Sequence, residues 1–278
     1  MNPLQKVRLG IAGFFLLAFW ACKDAPTSNP NTPEEIGDTA PAQVQSRYPE
    51  AFARALEAHG GLENYEKFRS LEFKLENWPF GKKAPLTDLH RVDLQNRKVL
   101  IEGDKYRLGF DGDEVWVENP KALGTPADFY YATPYYFSLV PFVFTDPGTI
   151  LEDQGPVTFQ NTLYQAVKVT YESGIGDTPE DYYVLYLDPE SYEVKMMSYI
   201  VSFPAFRNGK QVQELEPHVI VYKDYQEVEG LKMPHSFAFY NWNEGMIDLG
   251  EKPRGEAQFS QLKLTTEVFP DMIFNKTN

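Results

Sequence analysis

The sequence predicts a mainly β, α+β domain: a single curved antiparallel sheet forming an incomplete barrel, with an N-terminal helix against it and a short helix covering the concave face. Three observations predict this. From Leu71 onward the apolar period is mostly two, as in Leu71, Phe73 and Leu75 alternating with Glu72, Lys74 and Glu76, which is the pattern of strands with one wetter face. Tight-turn signals punctuate the runs, at Glu102-Gly103-Asp104, Asp111-Gly112, Asn208-Gly209 and Glu229-Gly230. One stretch interrupts the rhythm. Residues 129–144, FYYATPYYFSLVPFVF, are half aromatic against 15% for the whole chain, so a helix there is apolar nearly all round and must be buried on more than one side.

The elements follow in chain order. Residues 1–22 read as a lipoprotein signal peptide: Lys6 and Arg8 precede an apolar run at 11–20, and Ala21 stands before Cys22, the one cysteine of the chain. That run is too short to span a bilayer, which takes roughly 20 apolar residues. Cys22 is the expected lipidation site, with acyl chains that hold the mature chain on a membrane. Phe19 and Trp20 stand where a lipobox usually has Leu and a small residue, and a secreted chain or an uncleaved anchor is the alternative. Residues 23–46 carry Pro26, Pro30, Pro33 and Pro41 among polar residues and read as a flexible tether. Lys23 and Asp24 suit either a surface-export signal or the start of a solvated tether. The expected location is the cell envelope, as an outer membrane lipoprotein on the periplasmic face or the cell surface.

Residues 47–278 form the folded domain. Pro49 suits a helix start, Phe52, Ala55, Leu56 and His59 share one face, and Gly60 or Gly61 supplies the stop. Leu62, Tyr65 and Phe68 suggest a second short helix. Some ten strands then follow, at 71–75, 98–102, 105–110, 114–117, 164–171, 181–187, 193–203, 218–225, 232–242 and 259–268. A sheet this wide curls to protect its edges. In the aromatic stretch, Thr133 can cap a helix that has Pro134 in its first turn and ends at Pro141.

Formal net charge is −14, and removal of Lys6 and Arg8 with the signal peptide takes it to about −16. Such a surface repels phosphate backbones, which excludes nucleic acid as a partner. With Cys22 acylated no thiol remains for a disulfide, a thiolate metal site or a redox centre. Histidines 59, 90, 218 and 235 share no short ligand spacing, and His59 reads as packing at its helix end. Asp111-Gly112-Asp113-Glu114 reads as a hairpin turn in place of a calcium loop. Glu152-Asp153 and Glu180-Asp181 could each lend a carboxylate to glycoside hydrolysis, as could the acidic pairs of most acidic proteins. No nucleophile elbow, P-loop or dinucleotide fingerprint is present. The expectation is therefore no catalytic residue, no metal and no cofactor.

Several motifs in order carry a family resemblance. Ala58-His59-Gly60-Gly61-Leu62, Asp111-Gly112 with Trp116, Tyr135-Tyr136-Phe137-x-Leu139-x-Pro141-Phe142, Asp146-Pro147-Gly148, Leu187-Asp188-Pro189-Glu190-x-Tyr192 and Tyr222-x-Asp224-Tyr225-x-x-Val228-x-Gly230-x-x-x-Pro234 together look like a family of Bacteroidota lipoproteins. That family is similar in fold to the LolA/LolB-like lipoprotein carrier superfamily, and the resemblance covers nearly all of 48–274. It implies an unclosed barrel with a hydrophobic cavity under helices, in which better-known members hold acyl chains. Those carriers place an Arg-Pro pair before the Asp-Gly hairpin, where this chain has Glu102-Gly103-Asp104-Lys105.

The aromatic stretch has three readings: core packing, a mobile cover over a cavity, or insertion into a membrane surface. Its tyrosines suit a cavity mouth, since each joins an apolar ring to a hydroxyl that needs a partner. The candidate cover residues are Tyr131, Tyr135, Tyr136, Phe137 and Phe142. Met197, Tyr199, Val201 and Phe203, or Phe237 and Phe239, are candidates for the floor. Function reads foremost as a non-catalytic envelope lipoprotein that binds or carries a lipid or other apolar ligand. The alternatives are a structural or protein-interaction surface lipoprotein with a filled core, for an unknown protein partner, and an envelope hydrolase assembled from distant residues.

Overall fold

The computed structural model describes residues 47–176, 178–241 and 252–276. The chain separates into Met1–Val44 and Gln45–Asn278. The signal peptide, Cys22 and the tether lie outside the described residues, and the fold described is that of the second unit.

Helix α1, Glu50–Ala58, buries Ala51, Phe52, Ala55 and Leu56 along one stripe, and Pro49 enters it with a helix-compatible φ of −52°. Its exit is fixed by Gly60, at φ +106°, where an added Cβ would lie 2.2 Å from the Gly230 carbonyl oxygen. No other residue allows both that φ and that approach. The four-residue α2, Leu62–Tyr65, leads into the sheet.

Twelve strands form one antiparallel sheet from two meanders. The first contains β1 (Ser70–Trp78), β2 (Leu86–Asp93), β3 (Val99–Gly103), β4 (Arg107–Phe110) and β5 (Val115–Glu118). The second contains β6 (Thr149–Phe159), β7 (Thr162–Tyr171), β8 (Tyr183–Leu187), β9 (Val194–Tyr199), β10 (His218–Val228), β11 (Leu231–Asn241) and β12 (Gly255–Thr265). Each strand pairs with its successor inside a meander, and β12 returns to pair with β1, Leu71 opposite Leu264 and Leu75 opposite Phe259. The free edges are β5 and β6, so the barrel stays open. These two edges are consecutive in sequence. The connection between them must cross from one margin of the sheet to the other, and it consists of α3 (Pro120–Leu123), α4 (Ala127–Tyr130), α5 (Thr133–Ser138) and a 3-10 turn at Phe142–Thr145.

That crossing explains the burial of the aromatic stretch. Leu139, Val140, Phe142, Val143 and Phe144 are buried in the main core together with α1 and the inward residues of both meanders. Thr133 does not cap α5: Ala132 holds that position, and the Thr133 hydroxyl donates to the Phe129 carbonyl at 2.7 Å, tying α5 back to α4.

Two smaller apolar clusters lie apart from this core. Tyr164, Tyr186, Met196, Val219 and Tyr240 alternate with main-core neighbours along β7–β11, so these strands are apolar on both faces. Leu100, Trp116 and Phe274 form the other, where the C-terminal turn Asp271–Phe274 folds back and the Trp116 indole N–H donates to the Phe274 carbonyl at 2.7 Å. Trp116 lies over its cross-strand partner Gly109, at which an added Cβ would meet the indole at 2.4 Å.

Strands β2 and β6 exceed the ten expected. The inward positions of β2 hold Asp88 and His90, which inverts its apolar signal. As an edge strand, β6 carries Glu152, Asp153, Gly155 and Pro156 and buries little.

Candidate functional site

Beneath and beside α4 and α5 the sheet leaves two hollows. The first, of about 190 Å³, is lined by aromatic rings: Trp78 from the end of β1, Phe239 from β11, Phe137 from α5 and Tyr199 from β9, with Phe80 and Phe129 at the margins. Trp78 is its hub, with five rings about it, from Phe239 at 5.4 Å to Phe137 and Phe237 at 6.1 Å between centroids. The second, of about 290 Å³, is more polar. Tyr131, Tyr135, Tyr136, Tyr171 and Tyr183 line it, together with Arg97, Asp128 and Asp181. Five residues line both, and among them the rings of Phe137 and Tyr199, 5.2 Å apart, form the partition. Small-molecule sites run from roughly 300 to 1,000 Å³, a size that neither hollow attains until the partition moves.

Four of the five candidate cover residues line these hollows. Tyr131, Tyr135 and Tyr136 line the second and Phe137 lines both. Phe142 lies elsewhere, stacked on Tyr65 at 4.7 Å and 10° in the main core, and lines neither hollow. Of the floor candidates, Met197, Tyr199, Phe237 and Phe239 all belong to the inward face, while Phe203 sits past β9 at the rim, its ring 5.6 Å from Phe129. Phe206, in the turn after Phe203, reaches Phe129 at 4.7 Å and is 38% exposed.

The charged lining is mostly paired. Arg97 pairs with Asp146 beside the second hollow. Asp181 accepts from the Ser202 amide at 2.7 Å and the Thr178 hydroxyl at 2.8 Å, and burial pushes its carboxyl up. At the first hollow, Arg254 donates to His218 Nδ1 at 3.2 Å. Burial and that neighbouring guanidinium lower the His218 pKa, so the imidazole is held neutral.

A polar cluster missed at the sequence level anchors the cover. Asp88 accepts from His90 Nε2 at 2.7 Å, from the Tyr130 hydroxyl of α4 at 2.9 Å, and from the Tyr106 hydroxyl. All four side chains are buried, and burial, with Asp88 second, raises the Tyr130 and Tyr106 pKa values far above their usual range. Buried as a group, and with only His90 Nδ1 left without a partner among their side-chain atoms, these residues position α4. Among the described residues no three His, Cys, Asp or Glu side chains converge as metal ligands.

Three of the motifs quoted above meet at α1. His59 Nδ1 donates to the Lys232 carbonyl at 3.0 Å, and its Nε2 accepts from the Val194 amide at 3.1 Å. Tyr225 packs edge-on against the His59 ring at 5.2 Å and donates to the Val194 carbonyl at 2.6 Å. Tyr192 receives the Arg54 guanidinium on its ring at 3.9 Å. These residues dock α1 on the sheet and leave the hollows untouched.

A model described as a family of unknown function, DUF6503, matches residues 118–250, which begin at the end of β5 and include the aromatic connection. No curated protein matches the sequence. Among solved structures, a DUF1329 family protein from Desulfovibrio piger is similar over 81% of this chain and 95% of its own, at 10% identity and a TM-score of 0.49. A LolA superfamily protein from Nitrosomonas europaea is similar over 80% of this chain and 97% of its own, at 10% identity and a TM-score of 0.39.

Proposed function

We propose that this chain is a non-catalytic envelope lipoprotein, anchored through Cys22, that binds a lipid or other apolar ligand under the α4–α5 cover. The observation that carries the reading is the ring-lined hollow around Trp78. An apolar hollow rimmed by a few polar groups is the usual form of a small-molecule site. The cover packs there through Phe137 against Trp78 and Tyr199 and through Phe129 against Phe206 in the turn after β9, with a polar tie at Tyr130. Aromatic contacts of this kind can slide with little loss. Widening the hollow requires only that Phe137 swing away from Tyr199, which joins it to the second.

The filled-core alternative has its own observation, the burial of residues 139–144 in the main core. The cover in this proposal is therefore confined to α4 and α5. Native mass spectrometry of the chain extracted from its membrane tests the reading. The expected spectrum has the mass of an acylated mature chain beginning at Cys22, together with adducts of lipid mass that survive gentle activation. An acylated chain with no adduct, and no binding of a fluorescent apolar probe, would favour the filled-core scaffold.

A further inference from the structure

Hollow and rim together define a ligand with two ends. The inner end is apolar, since Trp78 and Phe239 are both 1% exposed and Phe137 closes the side. The rim holds a cation: the exposed Arg254 guanidinium lies 6.0 Å from the Phe80 ring and bonds to a neutral imidazole, with no carboxylate within ion-pair distance among the described residues. Its backbone is fixed by the hydrogen bond that the Arg254 N–H donates to the Phe239 carbonyl at 2.8 Å. Because His218 Nδ1 accepts from Arg254, the imidazole proton stands on Nε2. Among the described residues that Nε2 has no hydrogen-bond partner. That N–H points away from Arg254 across the ring, so the exposed guanidinium is the donor at the open end of the apolar hollow.

We infer that this hollow takes a single-chain amphiphile with an oxyanion head, its chain against Trp78 and Phe239 and its carboxylate or phosphate on the Arg254 guanidinium. This deepens the proposed function and rests on it. The pairing of a charged head with a guanidinium is a charge-assisted contact, stronger than its neutral counterpart. The chain as a whole opposes anions, with a formal charge of −14 and Glu216 near His218. At physiological salt such a field is screened beyond about 8 Å, so the local guanidinium decides.

Trp78 provides the readout. The full chain in neutral-lipid nanodiscs is titrated with 12-bromododecanoate and with 12-bromododecanol, whose bromine quenches a tryptophan it touches; empty nanodiscs set the partition baseline. Wild type should bind the acid about tenfold more tightly than the alcohol, the order expected of one charge-assisted contact. Arg254→Gln should remove most of that difference by weakening the acid, and Arg254→Lys should retain part of it. Displacement of the bound acid by dodecyl phosphate as readily as by dodecanoate points to phosphate-headed lipids as the source, and displacement by dodecanoate alone points to free fatty acids; both uphold the oxyanion site. Equal affinity for acid and alcohol overturns this inference and leaves the apolar-ligand reading standing. Saturable quenching by neither ligand overturns both.

Discussion

His59 is bonded on both ring nitrogens, as a donor to Lys232 and an acceptor from Val194, so it is held as one neutral tautomer. Burial lowers its pKa from 6.5 to about 4. The unfolded chain takes up a proton near pH 6.5 that the folded chain refuses until about pH 4. Stability is therefore whole above pH 6.5 and falls as the pH drops from 6.5 towards 4, by roughly 3 kcal/mol in all. Urea midpoints at pH 7.5 and 4.5 should draw closer together in His59→Gln than in wild type, since carboxylate titration is common to both and only the imidazole is removed. Parallel pH dependence in the two proteins would exclude His59 as a source of acid sensitivity. The same end of the fold brings three of the quoted motifs together. Ala58-His59-Gly60, Asp188-Pro189-x-x-Tyr192 and Tyr222-x-Asp224-Tyr225 are far apart in sequence and meet at α1, Tyr225 on the His59 ring and Tyr192 on Arg54.

At the scale of elements, α1 and ten strands were legible because their apolar residues repeat at the period of the element. Which strand face is concave was not legible. On β9 Met196 faces the outer cluster and Met197 the main core, and on β10 Val219 and Ile220 divide likewise, so alternation of polar and apolar residues disappears. The candidate site was partly legible: the density of rings at 129–144 pointed to the cover, whereas Arg254, His218 and Trp78 come from strand ends 40 or more residues away and left no local signal. The stretch also divides in two where its composition gave no hint. Phe142→Ala should cost about 3–5 kcal/mol, as Phe73→Ala should, because both rings are buried in tight aromatic stacks. Phe137→Ala should cost clearly less, since its ring already borders open space on two sides, and it should strengthen binding of a bulky apolar probe by joining the hollows. Denaturation midpoints and probe titration of the three variants check this. A Phe137→Ala protein as unstable as the other two, with unchanged probe binding, would make the partition an ordinary part of the core.

For the whole molecule the decisive contact is the seam between β1 and β12, which joins a five-strand and a seven-strand meander into one sheet. Phe259 sits on that seam, fully buried, with Phe73 of β1 edge-on at 5.3 Å and Phe237 of β11 at 4.7 Å. The meanders are also tied at both ends: α1, ahead of the first, docks on β9 and β11, and the C-terminal turn, after the second, closes on Trp116 of β5. The inward faces of the two meanders share one continuous cluster, which runs from Phe52 and Leu71 to Phe259 and Leu264. The domain should therefore unfold as a single unit, in spite of its size. Phe259→Ala should lower stability by about 3–5 kcal/mol and should shift the loss of far-UV circular dichroism and the change in tryptophan fluorescence to the same new midpoint, which is the behaviour of an all-or-none transition. Two separate midpoints in that variant would mean that the meanders fold independently and that the seam is an interface between halves instead of the middle of one sheet.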